Sequence, residues 1–248
     1  MKFVPLHGAV LVLSGMIHAL PVLAQELDIP KVDIPTLPSA AHRAEQFKPH
    51  GWSVEKQLQG DLNADGIADV VLLLREDDPA KVIHPDGLGE NPLDTNPRML
   101  GIALGQPEGG YALVAENHAL IPRRDNPTMD DPLNGAAVGG IALTGGRLRV
   151  TLGRFFSAGT WDMGSSVFTF RWQDNGFWLI GYDETVVSRN TGSTRSISVN
   201  YLTGDTKHIY GSIEDDAERI EWTQSAPAPL LSFDDIGSGF DFDPVEGP

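Results

Sequence analysis

The chain has 248 residues, with 34 acidic and 18 basic side chains, a formal charge of −16 and no cysteine. Such an acidic surface repels phosphate backbones and argues against nucleic-acid binding. The missing thiols exclude disulfides, thiol catalysis and Cys-ligated zinc, so the fold must rest on core packing, with a bound ion as the expected further support.

Lys2, a mostly apolar stretch over 4–20 and the small-residue site Val22-Leu23-Ala24 read as a secretory signal peptide. The stretch is broken by His7, Gly8, Gly15, His18 and Pro21, too short and interrupted for a membrane span. Cleavage after Ala24 leaves 224 residues and, with Lys2 gone, a charge of −17. The expected location is the periplasm or the exterior. Prolines at 30, 35 and 38 forbid a helix over 25–38, which reads as a linker: an extended tether or an arm laid on the surface. Ser39 is placed to cap a short helix through about Gln46.

A strand is expected over 52–58. It is followed by Asp61-Leu62-Asn63-Ala64-Asp65-Gly66-Ile67-Ala68-Asp69, which sets oxygen side chains at loop positions 1, 3, 5 and 9 around a glycine at position 6. Calcium takes six to eight oxygen ligands at about 2.3–2.6 Å, and a curled segment of this kind supplies them. The expected ligands are Asp61, Asn63, Asp65, the Ile67 carbonyl and Asp69, with Ca2+ as cofactor. An EF-hand needs a Glu at position 12, where this chain has Leu72 inside the apolar run Val70-Val71-Leu72-Leu73-Leu74. The loop therefore feeds a buried strand.

The pattern D-x-N-x-D-G-x-x-D followed by a strand resembles the calcium loops of FG-GAP and VCBS repeats, known from integrin-type β-propellers. Those families repeat the loop and this chain carries it once. With residues 47–52 and 200–204, it is also similar to secreted bacterial proteins of unknown function that have a single such loop. The resemblance implies a calcium-binding β fold over about residues 45–235. Related loops often have Gly or a polar residue where this one has Ala64.

Beyond Arg75 the chain reads as loop to about 98, with strands over 99–104 and 111–116 joined by a hairpin at Gly109-Gly110. A second loop over 122–135 carries Arg123, Arg124, Asp125, Asp130 and Asp131. The two loops are the expected partner-facing edge. A two-residue turn at Gly145-Gly146 pairs Leu143 with Leu148 and Ile141 with Val150. A turn at Asn175-Gly176 puts Phe168, Phe170, Trp172, Phe177 and Leu179 on one face. Val167, Thr169, Arg171, Trp178, Ile180 and Tyr182 fall on the other. Strands follow over 196–202 and 207–210, then a last one ending near 222. The acidic, Pro- and Gly-rich stretch from 226 reads as a flexible tail.

These elements predict an all-β domain over 39–225: an antiparallel meander, either partial-propeller-like or two-sheet, with a short N-terminal helix. No H-E-x-x-H, G-x-S-x-G or P-loop occurs. The expected function is an exported calcium-binding module that engages a protein or glycan partner. The alternative is a periplasmic glycan-acting hydrolase, for which Asp130, Asp131, Asp162 and Asp183 are nominal carboxylates and Trp161, Trp172 and Trp178 nominal sugar platforms. A deep pocket lined by two carboxylates and an exposed Trp would favour the enzyme.

Overall fold

A computed structural model describes residues 27–134, 139–226 and 228–245; the leader expected over 1–24 lies outside them. The described chain has fourteen strands: β1 Ala40–Ala41, β2 Trp52–Gly60, β3 Asp69–Glu76, β4 Val82–Ile83, β5 Leu93–Asp94, β6 Arg98–Gly105, β7 Tyr111–Asn117, β8 Gly140–Thr144, β9 Arg147–Arg154, β10 Asp162–Gln173, β11 Gly176–Ser188, β12 Ser193–Asn200, β13 Asp205–Ser212 and β14 Arg219–Gln224. Strand makes up 47% of the chain and helix 3%, which settles the all-β class. Of the two arrangements expected, the chain adopts two packed sheets. One has five strands in the order β1-β7-β6-β3-β2, and the other is a curled seven-stranded meander from β8 to β14, while β4 and β5 pair as a separate two-stranded ribbon.

The apolar run in β3 dictates this layering. Val71 and Leu73, with Leu100 and Ile102 of β6, pack on Leu148, Val150, Phe168, Phe170 and Leu179 of the meander. Val70, Leu72 and Leu74 face the other way and meet Leu37, Ala44, Phe47 and Trp52. The segment expected as a linker is thus in part a docked arm. Leu37 is 4% exposed, its N–H donates to Glu116 Oε2 at 3.0 Å, and the Pro30 carbonyl accepts from Arg123 Nη1 at 2.8 Å. Gly101 makes room for it, because a Cβ there would stand 2.6 Å from Leu37 Cδ1. In place of the expected helix there are the short strand β1 and a single 3-10 turn, Ala44–Phe47.

Two bulges, besides one between Ile102 and Ala103 of β6, rearrange the faces. In β2 the register shifts between Val54 and Lys56, so Val54 packs on the arm side and Leu58 between the sheets. Lys56 Nζ then reaches the Ile141 carbonyl of the facing sheet at 2.9 Å. The second shift lies between Thr169 and Phe170, opposite Gly181 and Leu179, leaving Ile180 unpaired. It reverses the alternation along β11 and brings Tyr182, expected on the outer face, into the core at 1% exposure against Phe168. The turn itself falls one residue early. Asp174 and Asn175 take the positive φ angles of 49° and 57°, while Gly176 admits the Trp178 indole 2.6 Å from where a Cβ would be.

The C-terminal stretch is a correction as well. Residues 228–245 run across the open end of the core, with Phe233 at 0% and Ile236 at 1% exposure and with Leu231, Phe240 and Phe242 packed alongside. The aromatic residues spaced between its acids give this stretch a buried face. Phe233 rests edge-on against Phe170 at 4.9 Å, and Asn117 Nδ2 donates to the Phe233 and Ile236 carbonyls. Phe233→Ala is therefore expected to cost about 3–5 kcal/mol, the range for deleting a buried aromatic. Urea denaturation measures this, and a solvated tail would show no change.

Candidate functional site

The loop between β2 and β3 is built by its own side chains. Asp61 Oδ1 and Oδ2 accept the Asp65 and Gly66 N–H groups at 3.2 and 3.0 Å. Asn63 Oδ1 also accepts from Asp65 N at 3.1 Å, Asn63 Nδ2 donates to Asp65 Oδ2 at 2.9 Å, and Asp65 Oδ1 accepts from Ile67 N at 2.7 Å. Three of the expected ligands, Asp61, Asn63 and Asp65, are thereby gathered within one exposed turn. The curl needs left-handed backbone at Ala64 (φ 64°) and Gly66 (φ 84°). Gly66 adopts this without cost, whereas for Ala64 the Cβ meets the following carbonyl.

Asp69 differs from the other three. As the first residue of the buried strand it is 0% exposed, its Oδ2 accepting from Leu62 N at 2.7 Å and its Oδ1 from Gly105 N at 2.8 Å. It fastens the base of the loop to the end of β6. Gly105 permits that contact, since a Cβ there would lie 2.5 Å from the Ala68 carbonyl oxygen. The loop also abuts the meander, where a Cβ on Gly146 would be 3.5 Å from the Asp61 carbonyl oxygen. Among the described residues no three His, Cys, Asp or Glu side chains gather as a metal-holding group. A cation here would depend on Asn63 and on backbone oxygen as well as on the carboxylates.

The two long loops bind each other. Glu90 pairs with Arg124, and its N–H donates to the Pro127 carbonyl at 2.7 Å. Asp131 grips Arg98, which is 5% exposed and is held on its other side by Glu55 at the β2 bulge, with N···O distances of 2.6–2.9 Å. Burial pushes the Asp131 carboxyl up, but the Arg98 guanidinium and the Leu133 amide outweigh it and hold it below the usual value. Arg98 is likewise opposed by burial and carried upward by its two carboxylates.

Beside this network lies a cavity of about 430 Å³, walled by the arm, the loop after β7 and the C-terminal stretch. His118, Arg123, Asp125 and Asp241 are its polar residues apart from Arg98, Asn126 and Ser238, and Ile34, Phe156 and Phe240 are among its apolar ones. Among the described residues Arg123 is hydrogen-bonded to neutral acceptors alone: the Thr95 carbonyl at 2.5 Å, Thr95 Oγ1 at 2.9 Å and the Pro30 carbonyl. Among the described residues His118 Nε2 is buried without a hydrogen bond, 3.6 Å from Glu116 Oε2. Of the nominal carboxylates, Asp131 is committed to Arg98, while Asp162 and Asp183 accept hydroxyls of Ser188 and Ser198 at 2.6 Å. Sequence spacing hid Asp241, whose place in the cavity wall depends on the course of the C-terminal stretch. The chain matches no family model, no curated protein and no solved structure.

Two stability tests follow. Ala64→Gly relieves left-handed strain and is expected to stabilise by about 1 kcal/mol in denaturant titrations. Asp131 carries a lowered pKa, so its contribution is complete above the unfolded value of about 4 and is lost as pH falls through the folded value. Asp131→Asn, which leaves Glu55 on Arg98, is expected to cost about 2 kcal/mol at pH 7 and to flatten the loss of stability below pH ~4, read from melting curves against pH.

Proposed function

We propose that this chain is an exported calcium-binding β module in which loop 61–69 holds the ion through Asp61, Asn63, Asp65 and the Ile67 carbonyl. Asp69 closes the base of the loop and adds its charge. The supporting observation is the gathering of Asp61, Asn63 and Asp65 oxygens around the same amides of residues 65–67, on a backbone already curled at positions 64 and 66. Those amides neutralise the carboxylates only in part, and a dication replaces them as the stronger partner. In this reading the loop is an FG-GAP-like calcium element carried once. The ion stiffens one rim of a rigid two-sheet body that presents its surface to a protein or glycan in the periplasm or outside the cell.

The test is thermal melting in calcium-free buffer and in 5 mM calcium. With an affinity typical of extracellular modules, about 10⁻⁴–10⁻³ M, the ion adds about 1–2 kcal/mol, or about 2–8 °C in melting temperature. Asp61→Ala and Asp65→Ala are expected to abolish that rise. An unchanged wild-type melting temperature would remove the ion from the reading.

The cavity supports a second reading, a glycan-acting hydrolase with Asp125 and Asp241 as its carboxylate pair. The two acids line a space large enough for a small ligand, although no Trp lines it. If this reading is right, turnover of a glycan substrate falls by at least a hundredfold in both Asp125→Asn and Asp241→Asn. A single-residue effect would mark a binding role only.

A further inference from the structure

We propose that Arg147, Arg149 and Arg171, on the outer face of the seven-stranded sheet, form a binding site for a small sugar acid or sugar phosphate. The three side chains share one face. Arg147 and Arg171 stand directly opposite each other across β9 and β10, and Arg149 is the next outward residue along β9, opposite Thr169. Like charges in directly opposed positions of an antiparallel pair are destabilising. Here nothing relieves them: none of the three makes an ion pair among the described residues, and the polar contact recorded for Arg171 is Gln173 Oε1. In a chain with 34 acids and 18 bases, three unpaired arginines side by side are an unneutralised concentration of positive charge.

The surroundings point to the class of ligand. A shallow pocket of about 310 Å³ adjoins the row, lined by Arg147, Thr169, Arg171, Ile180, Asn200 and Leu202 among others. Asn200 Oδ1 accepts from Leu202 N, leaving the Asn200 amide N–H groups as donors for hydroxyls. Thr169, beside Arg171 on β10, brings a hydroxyl to the same lining. Guanidinium groups take carboxylate or phosphate oxygens in pairs, and the Asn200 amide with the Thr169 hydroxyl suits the hydroxyls of a sugar. Net charge sets the size. A long polyanion would meet the field of the whole acidic protein, whereas a small anion meets mainly what lies within the screening length of about 8 Å, which here is the arginine row.

Titration calorimetry on the whole chain in calcium-stripped buffer at about 0.15 M salt tests this with glucuronate, glucose 6-phosphate and neutral glucose. At least one anion is expected to bind and glucose to give no heat. A carboxylate or phosphate preference identifies the oxyanion. The double variant Arg147→Gln/Arg171→Gln is expected to lose at least tenfold in affinity while melting no lower than the parent, because the like-charge contact is gone. Arg149→Gln alone, at an exposed position, gives the same reading with a smaller loss should the double variant fail to fold. Silence from both anions with the wild type, or unchanged affinity in a folded variant, overturns the proposal. Calcium-stripped buffer keeps the outcome separate from that of loop 61–69.

Discussion

Five consecutive apolar residues, 70–74, have no face to give to water, and the layering of the protein is the consequence. A strand of that composition is stable only when covered on both sides, and burying its side chains is worth on the order of 10 kcal/mol. The curled meander supplies one cover. The other comes from the arm and the Ala44–Phe47 turn, with Leu37 seated over Gly101 and Phe47 at 0% exposure. Because β3 begins at Asp69, the same burial carries a carboxylate inward, and the two backbone donors of Leu62 and Gly105 make that tolerable. Loop 61–69 is thus anchored by the core that it adjoins.

Charge inside the fold is arranged on the same terms. Arg98 enters a largely dry site between β2, β6 and the loop at 131, and it does so with both Glu55 and Asp131 in bidentate contact. Removing one acid would leave the buried guanidinium with a single carboxylate and two of its four hydrogen bonds unmade, and unmade bonds to a buried charge are costly. Glu55 reaches Arg98 because it is the extra residue of the β2 bulge, so a local irregularity serves a long-range ion pair. Arg123 follows another route, satisfied by carbonyls of Thr95 and Pro30 and keeping its charge for the cavity wall.

Much of the fold was legible because its signals are local. Two glycines at 145 and 146 set the pairing of Leu143 with Leu148 and Ile141 with Val150, as observed, and the alternation of Ile220 and Trp222 marks β14. What was not legible depends on contacts between distant segments. The bulge opposite Phe170 has no sequence signature, so Tyr182 fell on the wrong face. The C-terminal stretch looks solvated by its acids, yet Phe233, Phe240 and Phe242 recur between them and find an open end of the core that only the assembled sheets provide. Three of the five expected loop ligands meet as spacing implies, since Asp61, Asn63 and Asp65 are near neighbours. The inward position of Asp69 was implicit in the apolar run that follows it.

The Gly145-Gly146 turn links the two proposed sites. Its far side lies against the Asp61 and Leu62 carbonyls, and its exit residue, Arg147, begins the arginine row. A dication in the loop would add positive potential beside Arg147 and favour an anion there; an anion on the row would in turn favour the ion. Coupling of this kind is reciprocal by thermodynamic necessity, and its carrier is the fixed position of one short turn between two charges of the same sign. On the two proposals together, calcium tunes the surface on which the ligand rests without any change in backbone, because the covered β3 strand holds both sites in place.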